Sequence, residues 1–171
     1  MNITDEKFAS IIKQNEDRLK HLCRVYADRK ADEEDLFQEI LIQAWRSLPS
    51  FDGKASIDTW LYRLAVNTAI SFVRKRKTRQ NYYDDYKKEQ SSQPQDRHMP
   101  HHSDNEQLDK IYEAISTLNA SEKAIITMYL EDFSYAEISY VADITENYVG
   151  VKLNRIKKKL SNKIDSSNGT G

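Results

Sequence analysis

The residues of this chain best suited to binding a polyanion lie in one segment near its C-terminus, residues 144–160, which reads ITENYVGVKLNRIKKKL. On a helix of about 100° per residue, one side of this segment is mainly polar and the other is apolar. The polar side can hydrogen-bond base edges and phosphates. It carries Asn147, Val151, Asn154, Arg155 and Lys158, flanked by Tyr148, Lys152, Lys157 and Lys159. The apolar side carries Val149, Leu153, Ile156, Leu160 and Ile164. In the alternative interpretation, lysines near a helix end only complement its dipole and keep it soluble.

A short helix is predicted just before this segment. Ser134 and Glu137 have the spacing of a capping box, and Thr145 can cap the start of the later helix. Residues 142–145 form the whole connection, and Asp143 tolerates the left-handed backbone that such a turn needs. The pattern predicts a helix-turn-helix, whose second helix enters the DNA major groove by its N-terminal half.

Residues 51–79 contain a second candidate site. They combine an aromatic residue, a Gly-containing loop, an apolar helix and a basic end. Cations along a helix hold phosphates, and an amide accepts an unstacked base, so the segment suits single-stranded DNA. The stripe that would do this carries Arg63, Asn67, Ile70 and Arg74. The side predicted to face the core carries Trp60, Leu61, Leu64, Ala65, Thr68, Ala69 and Phe72. In the alternative interpretation, Asn67 satisfies a backbone group and the terminal cations complement the helix dipole.

The preceding helix has a two-sided pattern of its own. Its broad apolar side, predicted to be core, carries Leu36, Phe37, Ile40, Leu41, Ala44, Trp45 and Leu48. Its other side carries Asp35, Gln38, Glu39, Ile42 and Arg46. A single surface Ile is ordinary, but an apolar centre with a polar rim is also how docking surfaces are built.

Composition limits the class of protein. The chain has 171 residues and a net charge of −1, with 4 Gly and 3 Pro, which favours small helical domains. Its cations gather at residues 74–79 and 152–163, which indicates separate surfaces for a polyanion and for a protein partner. No apolar run approaches the roughly 20 residues that span a bilayer, and the polar start lacks signal-peptide order, so we expect a cytoplasmic protein. Cys23, the sole cysteine, is expected to be buried in a helix.

Helical periodicity covers seven segments, and no alternating strand is evident. They are residues 4–30, 32–48, 56–79, 108–117, 120–131, 134–142 and 145–164. The predicted fold class is all-α, with two small helical domains, residues 1–80 and 108–171, joined by a flexible linker at 81–107. The second domain contains the helix-turn-helix.

The linker holds a possible metal site. His98, His101, His102 and Asp104 are ligand types that suit zinc or another transition metal. Their spacing is loose, and histidines in a Pro-containing polar loop are more often solvated than liganded. We therefore predict no metal and no other cofactor.

Two stretches carry a family resemblance. Residues 32–77 read DEEDLFQEILIQAWRSLPSFDGKASIDTWLYRLAVNTAISFVRKRK, and residues 118–160 read LNASEKAIITMYLEDFSYAEISYVADITENYVGVKLNRIKKKL. The first resembles the conserved core of extracytoplasmic-function sigma factors, the smallest bacterial RNA polymerase sigma factors, and the second resembles their second domain. Both occur in the family's order with a linker between them.

The resemblance implies three sites. The helix with Asp35, Gln38, Glu39 and Ile42 would dock on the coiled-coil clamp of the polymerase's largest subunit. The first domain would melt the minus-ten promoter element, hold a flipped base and bind the strand backbone. Its residues would be Phe51, Lys54, Ser56, Arg63, Asn67, Arg74, Arg76 and Lys77. The second domain would read the minus-thirty-five element with Asn147, Tyr148, Val151, Lys152, Asn154, Arg155 and Lys158, and the linker would thread toward the active-site and RNA-exit region of the polymerase.

The resemblance also implies partners and a class of activity. They are core RNA polymerase, promoter DNA and an anti-sigma factor, often membrane-bound, with a free protein that is monomeric and catalyses no reaction. Asn119 and Asp143 depart from the family, which usually has Pro and Gly there, and Gly150 and Val151 are small for a recognition helix. The alternatives are a stand-alone helix-turn-helix regulator that binds duplex DNA by itself and, with little support, a metal-dependent hydrolase.

Overall fold

The structure is a computed structural model that describes residues 5–87 and 105–169. This part of the chain contains seven α-helices and no strand, which confirms the all-α class. The helices are α1 Asp5–Tyr26, α2 Lys30–Ser47, α3 Ile57–Lys87, α4 Glu106–Ser116, α5 Ala120–Leu130, α6 Tyr135–Ala142 and α7 Glu146–Asn168. None of the described helices is long and apolar enough to cross a membrane.

The helix bounds differ from the predicted ones mainly at α1, α3 and α7. Helix α1 ends at Tyr26 rather than at residue 30, and α7 continues to Asn168 rather than ending at 164. Helix α3 continues to Lys87 rather than ending at 79, so it runs into the predicted linker. The remaining linker residues with a predicted role, His98, His101, His102 and Asp104, lie outside the described residues. The linker and its possible metal site therefore stay predictions.

Helices α1, α2 and α3 pack against one another and form the first module. Apolar residues at helical spacing supply its core, among them Leu19, Leu22, Leu36, Ile40, Leu61 and Ala65. Cys23 is buried as predicted, and this burial raises the pKa of its thiol to about 12. Burial of these side chains stabilises the module by roughly 25 cal/mol per Å² of apolar surface removed from water.

One prediction about this core is wrong, and another is confirmed only in part. Trp45, predicted to be core, is 47% exposed and meets the α1 residue Phe8 edge to face, at 5.1 Å between ring centroids. On α3, the predicted core residues Trp60, Leu64 and Phe72 pack against the core but are only partly buried, and with Thr68 they also line a groove, whereas Tyr62 and Val66 are buried. The reason is that α3 contacts α6 as well as α1 and α2, so more than one of its faces is covered.

Helices α4 to α7 form the second module, and its turns follow the predicted caps. Ser134 and Glu137 make the predicted capping box, and the Thr145 side chain accepts a hydrogen bond from the Tyr148 amide. Asp143 ends α6 in the left-handed conformation, at φ 55° and ψ 47°. Asn119, which departs from the family's usual Pro, caps α5 in a capping box with Glu122. Both departures are thus accommodated by side chains that suit the turn.

The two modules pack against each other. Helix α1 contacts α4 and α5, and α3 contacts α6, so that one cluster of buried apolar residues runs through both modules. Tyr62 of α3 meets Phe133, which lies between α5 and α6, at 4.8 Å between ring centroids. The sequence predicted the modules but not this contact between them.

Candidate nucleic-acid interfaces

The predicted recognition helix α7 presents its polar side to solvent. Val149, Leu153 and Ile156 are buried against α4, α5 and α6, which fixes the rotation of the helix about its axis. The opposite side is therefore outward, as predicted. The predicted residues on it that are exposed are Asn147, Tyr148, Val151, Asn154, Arg155 and Lys158. Lys152 is half-buried, and its ammonium lies 5.6 Å from the centroid of the Tyr148 ring.

The cations of α7 fall into two groups. Arg155 and Lys158 form no ion pair with any residue in the described ranges, so both are available to bases and phosphates. Lys157 packs on the Tyr129 ring at 4.0 Å, and Lys159 donates a 2.5 Å hydrogen bond to Glu122. The second group holds α7 to α5, so only part of the basic cluster serves as a docking surface.

Small and apolar residues occupy the outward side in the first two turns of α7. Val151 is 43% exposed and Tyr148 is 40% exposed. A Cβ added at Gly150 would lie 3.5 Å from the Tyr135 ring, which is an ordinary contact, so packing does not demand glycine there. This leaves room for close approach of a DNA groove.

A groove of about 970 Å³ separates α2 from α3 and forms the second candidate interface. Its α2 wall is acidic, with Asp32, Asp35 and Glu39, and its α3 wall is basic, with Arg63, Lys75, Arg76 and Arg79. Asn67, Trp60 and Leu64 also line it. The groove thus combines cations, an amide and an aromatic surface, which are the groups that single-stranded DNA requires.

Asn67 is exposed to this groove, and its side chain makes no hydrogen bond to any residue of the described chain. The alternative interpretation, in which it satisfies a backbone group, therefore has no support in the described residues. Arg63, one turn earlier on α3, is half-buried with its guanidinium 4.7 Å from the centroid of the Tyr140 ring. Of the two side chains predicted to hold a flipped base, Asn67 is therefore accessible in the groove, whereas Arg63 is partly covered by Tyr140.

The cations at the basic end of α3 also include some that are exposed and one that is paired with acidic residues. Arg74 and Lys77 are exposed and form no ion pair within the described residues. Arg76 is held by Asp32 at 2.5 Å and by Asp28 at 3.8 Å, and Asp32 also accepts from Arg29 at 2.9 Å. Arg76 therefore ties α3 to the start of α2 as well as facing the groove.

The loop before α3 places its predicted DNA contacts at one end of the groove. Phe51 is half-buried against Trp60, at 5.4 Å between ring centroids, whereas Lys54 is exposed and bound to Asp52 at 2.7 Å. Hydrogen bonding to Asp52 raises the pKa of the Lys54 ammonium. Ser56 caps α3 by accepting from the Thr59 amide at 3.1 Å. Gly53 has φ +73°, a conformation that favours glycine.

The predicted docking strip on α2 lies beside this groove. Asp35, Gln38 and Ile42 are exposed, with Ile42 at 44%. Glu39 is half-buried and accepts a 2.9 Å hydrogen bond from Gln43. Asp35 and Glu39 face the groove, whereas Gln38 and Ile42 lie outside it. The strip is thus a surface with an apolar centre and an acidic edge toward the groove.

Among the described residues, Tyr140 is the one groove-lining residue that comes from the second module, and sequence reasoning missed it. It comes from α6 of the second module, yet it lines the groove together with Arg63 and Asn67. Its role could not be found from helical periodicity, because a partly apolar position on α6 is equally expected in the core of its own module.

Comparison with known proteins agrees with this arrangement. Two family models match the chain, Sigma-70 region 2 over residues 11–79 and Sigma-70, region 4 over residues 108–160. The chain is similar to the ECF RNA polymerase sigma-E factor of Haemophilus influenzae, with 28% identity over 165 residues that cover 92% of this chain and 87% of the relative.

Two solved structures share the fold. The sigma factor RpoE of Bartonella quintana, solved in complex with the anti-sigma factor NepR, superposes with a TM-score of 0.73 at 19% identity, covering 94% of this chain and 98% of that one. CnrH, solved in complex with the cytosolic domain of CnrY, gives a TM-score of 0.69 at 18% identity, covering 95% and 90%. At these identities the likeness shows the fold alone.

Proposed function

Because this chain belongs to the extracytoplasmic-function sigma factors of bacterial RNA polymerase, we propose that its three surfaces share the work of promoter recognition. The chain directs core polymerase to specific promoters and initiates transcription. Helix α2 docks on the polymerase, the groove beside α3 opens the minus-ten element, and α7 reads the minus-thirty-five element. The chain acts in the cytoplasm and catalyses no reaction itself, since polymerase supplies the chemistry.

The observation that carries this division is the charge on the two walls of the groove. Phosphates are repelled by Asp35 and Glu39 on the α2 wall and attracted by Lys75 and Arg79 on the α3 wall. A single strand is therefore expected to follow α3, with an unstacked base at Asn67. The acidic edge of α2 is left for a protein partner.

The minus-thirty-five role of α7 rests on its outward side. Asn154 and Arg155 lie in the exposed middle of the helix, where an amide and a guanidinium can each form two hydrogen bonds to one base. Lys158 lies a turn nearer the C-terminus and is placed for phosphate contact. The helix thus combines side chains that can contact bases with a lysine that can contact the phosphate backbone.

An anti-sigma factor is the expected regulator. Of the two proteins that share this fold, RpoE was solved in complex with the anti-sigma factor NepR, and CnrH in complex with the cytosolic domain of CnrY. We propose that the partner of this chain covers the α2 strip around Ile42 and competes with polymerase for it. The free chain is then monomeric, because its exposed docking strip fits polymerase rather than a second copy.

Reconstituted transcription tests the function. The full chain is combined with core polymerase, and the holoenzyme is used for run-off transcription of fragmented genomic DNA from the source bacterium. We expect discrete start sites that share a two-part promoter and require the chain. A symmetric footprint on duplex DNA without polymerase, together with no start site, would favour the stand-alone regulator instead.

A further inference from the structure

An apolar residue lies at the centre of the outward side of α7, among side chains that form hydrogen bonds. This residue is Val151, which is 43% exposed. Asn147 lies one turn before it on the same side of the helix, and Asn154 and Arg155 lie one turn after it. All three neighbours are exposed and end in an amide or a guanidinium group. When this side of α7 enters a DNA groove, Val151 is therefore at the middle of the contact.

Val151 takes no part in the core that holds α7 in place. That core is filled from the opposite side of the helix, by Val149, Leu153 and Ile156. Single exposed valines are common on protein surfaces and need no explanation. Val151 differs from them because polar, base-reading side chains surround it, and an apolar centre with a polar rim is how binding surfaces are built. We therefore asked which group of a DNA duplex suits such a centre.

The major groove offers one prominent apolar group to a side chain such as Val151. The base edges on its floor present hydrogen-bond donors and acceptors, and thymine adds a C5-methyl group. An apolar side chain pressed against a donor or an acceptor would leave that group without a partner, which weakens binding. Against the methyl group of thymine, the same side chain buries apolar surface on both partners. The chemistry of the groove therefore matches Val151 with a thymine.

Gly150 allows the close approach that this contact needs. Valine is short, so the backbone of α7 has to come near the base edge, whereas the longer Arg155 can reach a base from further away. Gly150 adds no side chain next to Val151, and a Cβ built there would lie at an ordinary 3.5 Å from the Tyr135 ring. Packing within the module thus does not require glycine, which is unfavourable in a helix relative to alanine. Close approach of DNA gives glycine a role at this position.

We propose that Val151 determines promoter specificity by recognising the C5-methyl group of a thymine in the minus-thirty-five element, and that Gly150 lets α7 come close enough to do so. This inference rests on the proposed function of α7 and deepens it by naming the central base pair of the element as T·A. The neighbouring base pairs fall to the hydrogen-bonding side chains. Among these, Asn147 and Asn154 suit adenine and Arg155 suits guanine.

Deoxyuridine tests the methyl group directly, because it pairs with adenine as thymine does and lacks only the methyl. The full chain is assembled with core polymerase, and competition binding gives the affinity of the holoenzyme for duplexes of a promoter found by run-off transcription. In each duplex, one thymine of the minus-thirty-five element, in either strand, is replaced by deoxyuridine. We expect one such replacement to weaken binding of the wild type by about 4-fold, as for the loss of one buried methyl group.

Val151→Ala completes a double-mutant cycle with the deoxyuridine duplex. This variant should bind the thymine promoter about 4-fold less tightly than the wild type and should no longer distinguish it from the deoxyuridine promoter. Asn154→Ala is the matched control on the same side of α7. It should weaken binding to both promoters alike and keep the wild-type ratio between them. Gly150→Ala should weaken binding although it raises the midpoint of thermal unfolding.

Circular dichroism checks that each variant is folded. A minus-thirty-five element in which no thymine is sensitive to loss of its methyl group would overturn the inference. So would a sensitivity that Val151→Ala retains, because another side chain would then contact the methyl group. A Gly150→Ala holoenzyme that binds as tightly as the wild type would overturn the role of Gly150.

Failure of the proposed function gives a different result. If α7 does not read the minus-thirty-five element, scrambling the whole element leaves the affinity of the wild-type holoenzyme unchanged. If only the inference about Val151 fails, scrambling still weakens binding, whereas deoxyuridine has no effect at any position or has an effect that does not depend on Val151.

Discussion

The two DNA-binding surfaces of this molecule differ in how their side chains are occupied. On α7, Arg155 and Lys158 project from the outward side and form no ion pair within the described residues. In the groove beside α3, Arg63 is covered by Tyr140 and Arg76 is held by Asp32. Reading an intact duplex needs only a rigid helix that already faces outward. Holding an opened strand needs groups that must first leave their protein partners.

This difference separates recognition from strand opening. A groove that always bound single strands would bind any unpaired DNA in the cell, since stacking and phosphate contacts carry little sequence information. Occupied side chains make such binding conditional on another event. Polymerase docking at α2 is the natural event, because the α2 strip borders the same groove.

The largest effect is expected from Ile42→Asp, which places a charge at the apolar centre of the docking strip. Such central residues contribute about 2 kcal/mol or more to an interface, roughly 30-fold in affinity. We expect loss of core polymerase binding, measured by titration with labelled chain, and loss of minus-ten strand binding that depends on polymerase. Binding of the free chain to minus-thirty-five duplex should not change.

Gln14→Asp is the control for Ile42→Asp, because it adds the same charge at an exposed position of α1. It should leave polymerase binding intact. A thermal stability loss in Ile42→Asp that parallels its binding loss would instead place Ile42 in the core.

Asn67→Ala should affect the groove and leave α7 untouched. Loss of a hydrogen bond to a flipped base is expected to weaken open-complex formation by about 1–3 kcal/mol if the base site is desolvated. Permanganate reactivity of the minus-ten thymines measures opening, and gel shift on upstream duplex measures the earlier step. An equal defect in both assays would contradict a role confined to the opened strand.

Arg155→Ala and Lys158→Ala both change the exposed side of α7, and we expect them to affect DNA binding in different ways. If Arg155 contacts guanine through two hydrogen bonds, its loss lowers discrimination between cognate and scrambled duplex by roughly 1–3 kcal/mol. Loss of Lys158 weakens both duplexes alike and reduces the salt slope by about 0.9 if it neutralises one phosphate.

A salt series of duplex binding by the full chain separates the two substitutions. If neither substitution changes the discrimination between cognate and scrambled duplex, α7 contacts only the phosphate backbone. The proposed difference between α7, which reads bases, and the groove beside α3, which holds the opened strand, would then be contradicted.

The smallest effect is expected at Glu122 of α5, whose ion pair with Lys159 attaches α7 to α5. Burial by itself would raise the pKa of Glu122, but hydrogen bonds from Lys159 and the Asn119 amide bring it below its usual value. A depressed pKa in the folded state means that the stabilisation is present above the unfolded pKa and is lost as pH falls through the folded one. Glu122→Gln should therefore lower the free energy of unfolding at neutral pH, by about 0.2–1 kcal/mol, because Gln can keep the capping box but loses the ion pair with Lys159.

The difference between wild type and Glu122→Gln should disappear in acid, where the wild-type carboxyl is protonated. Thermal unfolding at a series of pH values measures this. Glu113→Gln, on the exposed side of α4, serves as the control and should show little change at any pH. A constant difference for Glu122→Gln across the series would contradict the ion pair.

Much of the fold was predictable because it is encoded locally. The Ser134–Glu137 capping box, the Thr145 cap and the turn at Asp143 each depend on residues within one or two turns. The outward side of α7 followed from the spacing of its apolar residues. The sites on α7, α2 and α3 were predicted as separate surfaces for the same reason.

What the sequence did not reveal depends on contacts between distant segments. Tyr62 is 2% exposed and packs on Phe133 of the other module, whereas Trp45 stays 47% exposed although it meets Phe8 of α1. Helical periodicity gives the apolar side of each helix but not the partner that covers it. The same limit hid Tyr140, whose ring lies against the Arg63 guanidinium and lines the groove.

The measurement that tests the account most directly compares both DNA surfaces in the wild-type chain, free and bound to core polymerase. Anisotropy is recorded with a minus-thirty-five duplex and with a minus-ten single strand from one promoter found by run-off transcription. We expect the free chain to bind the duplex measurably but not the strand, and polymerase to confer strand binding. A free chain that binds the single strand as tightly as the holoenzyme does would contradict the account.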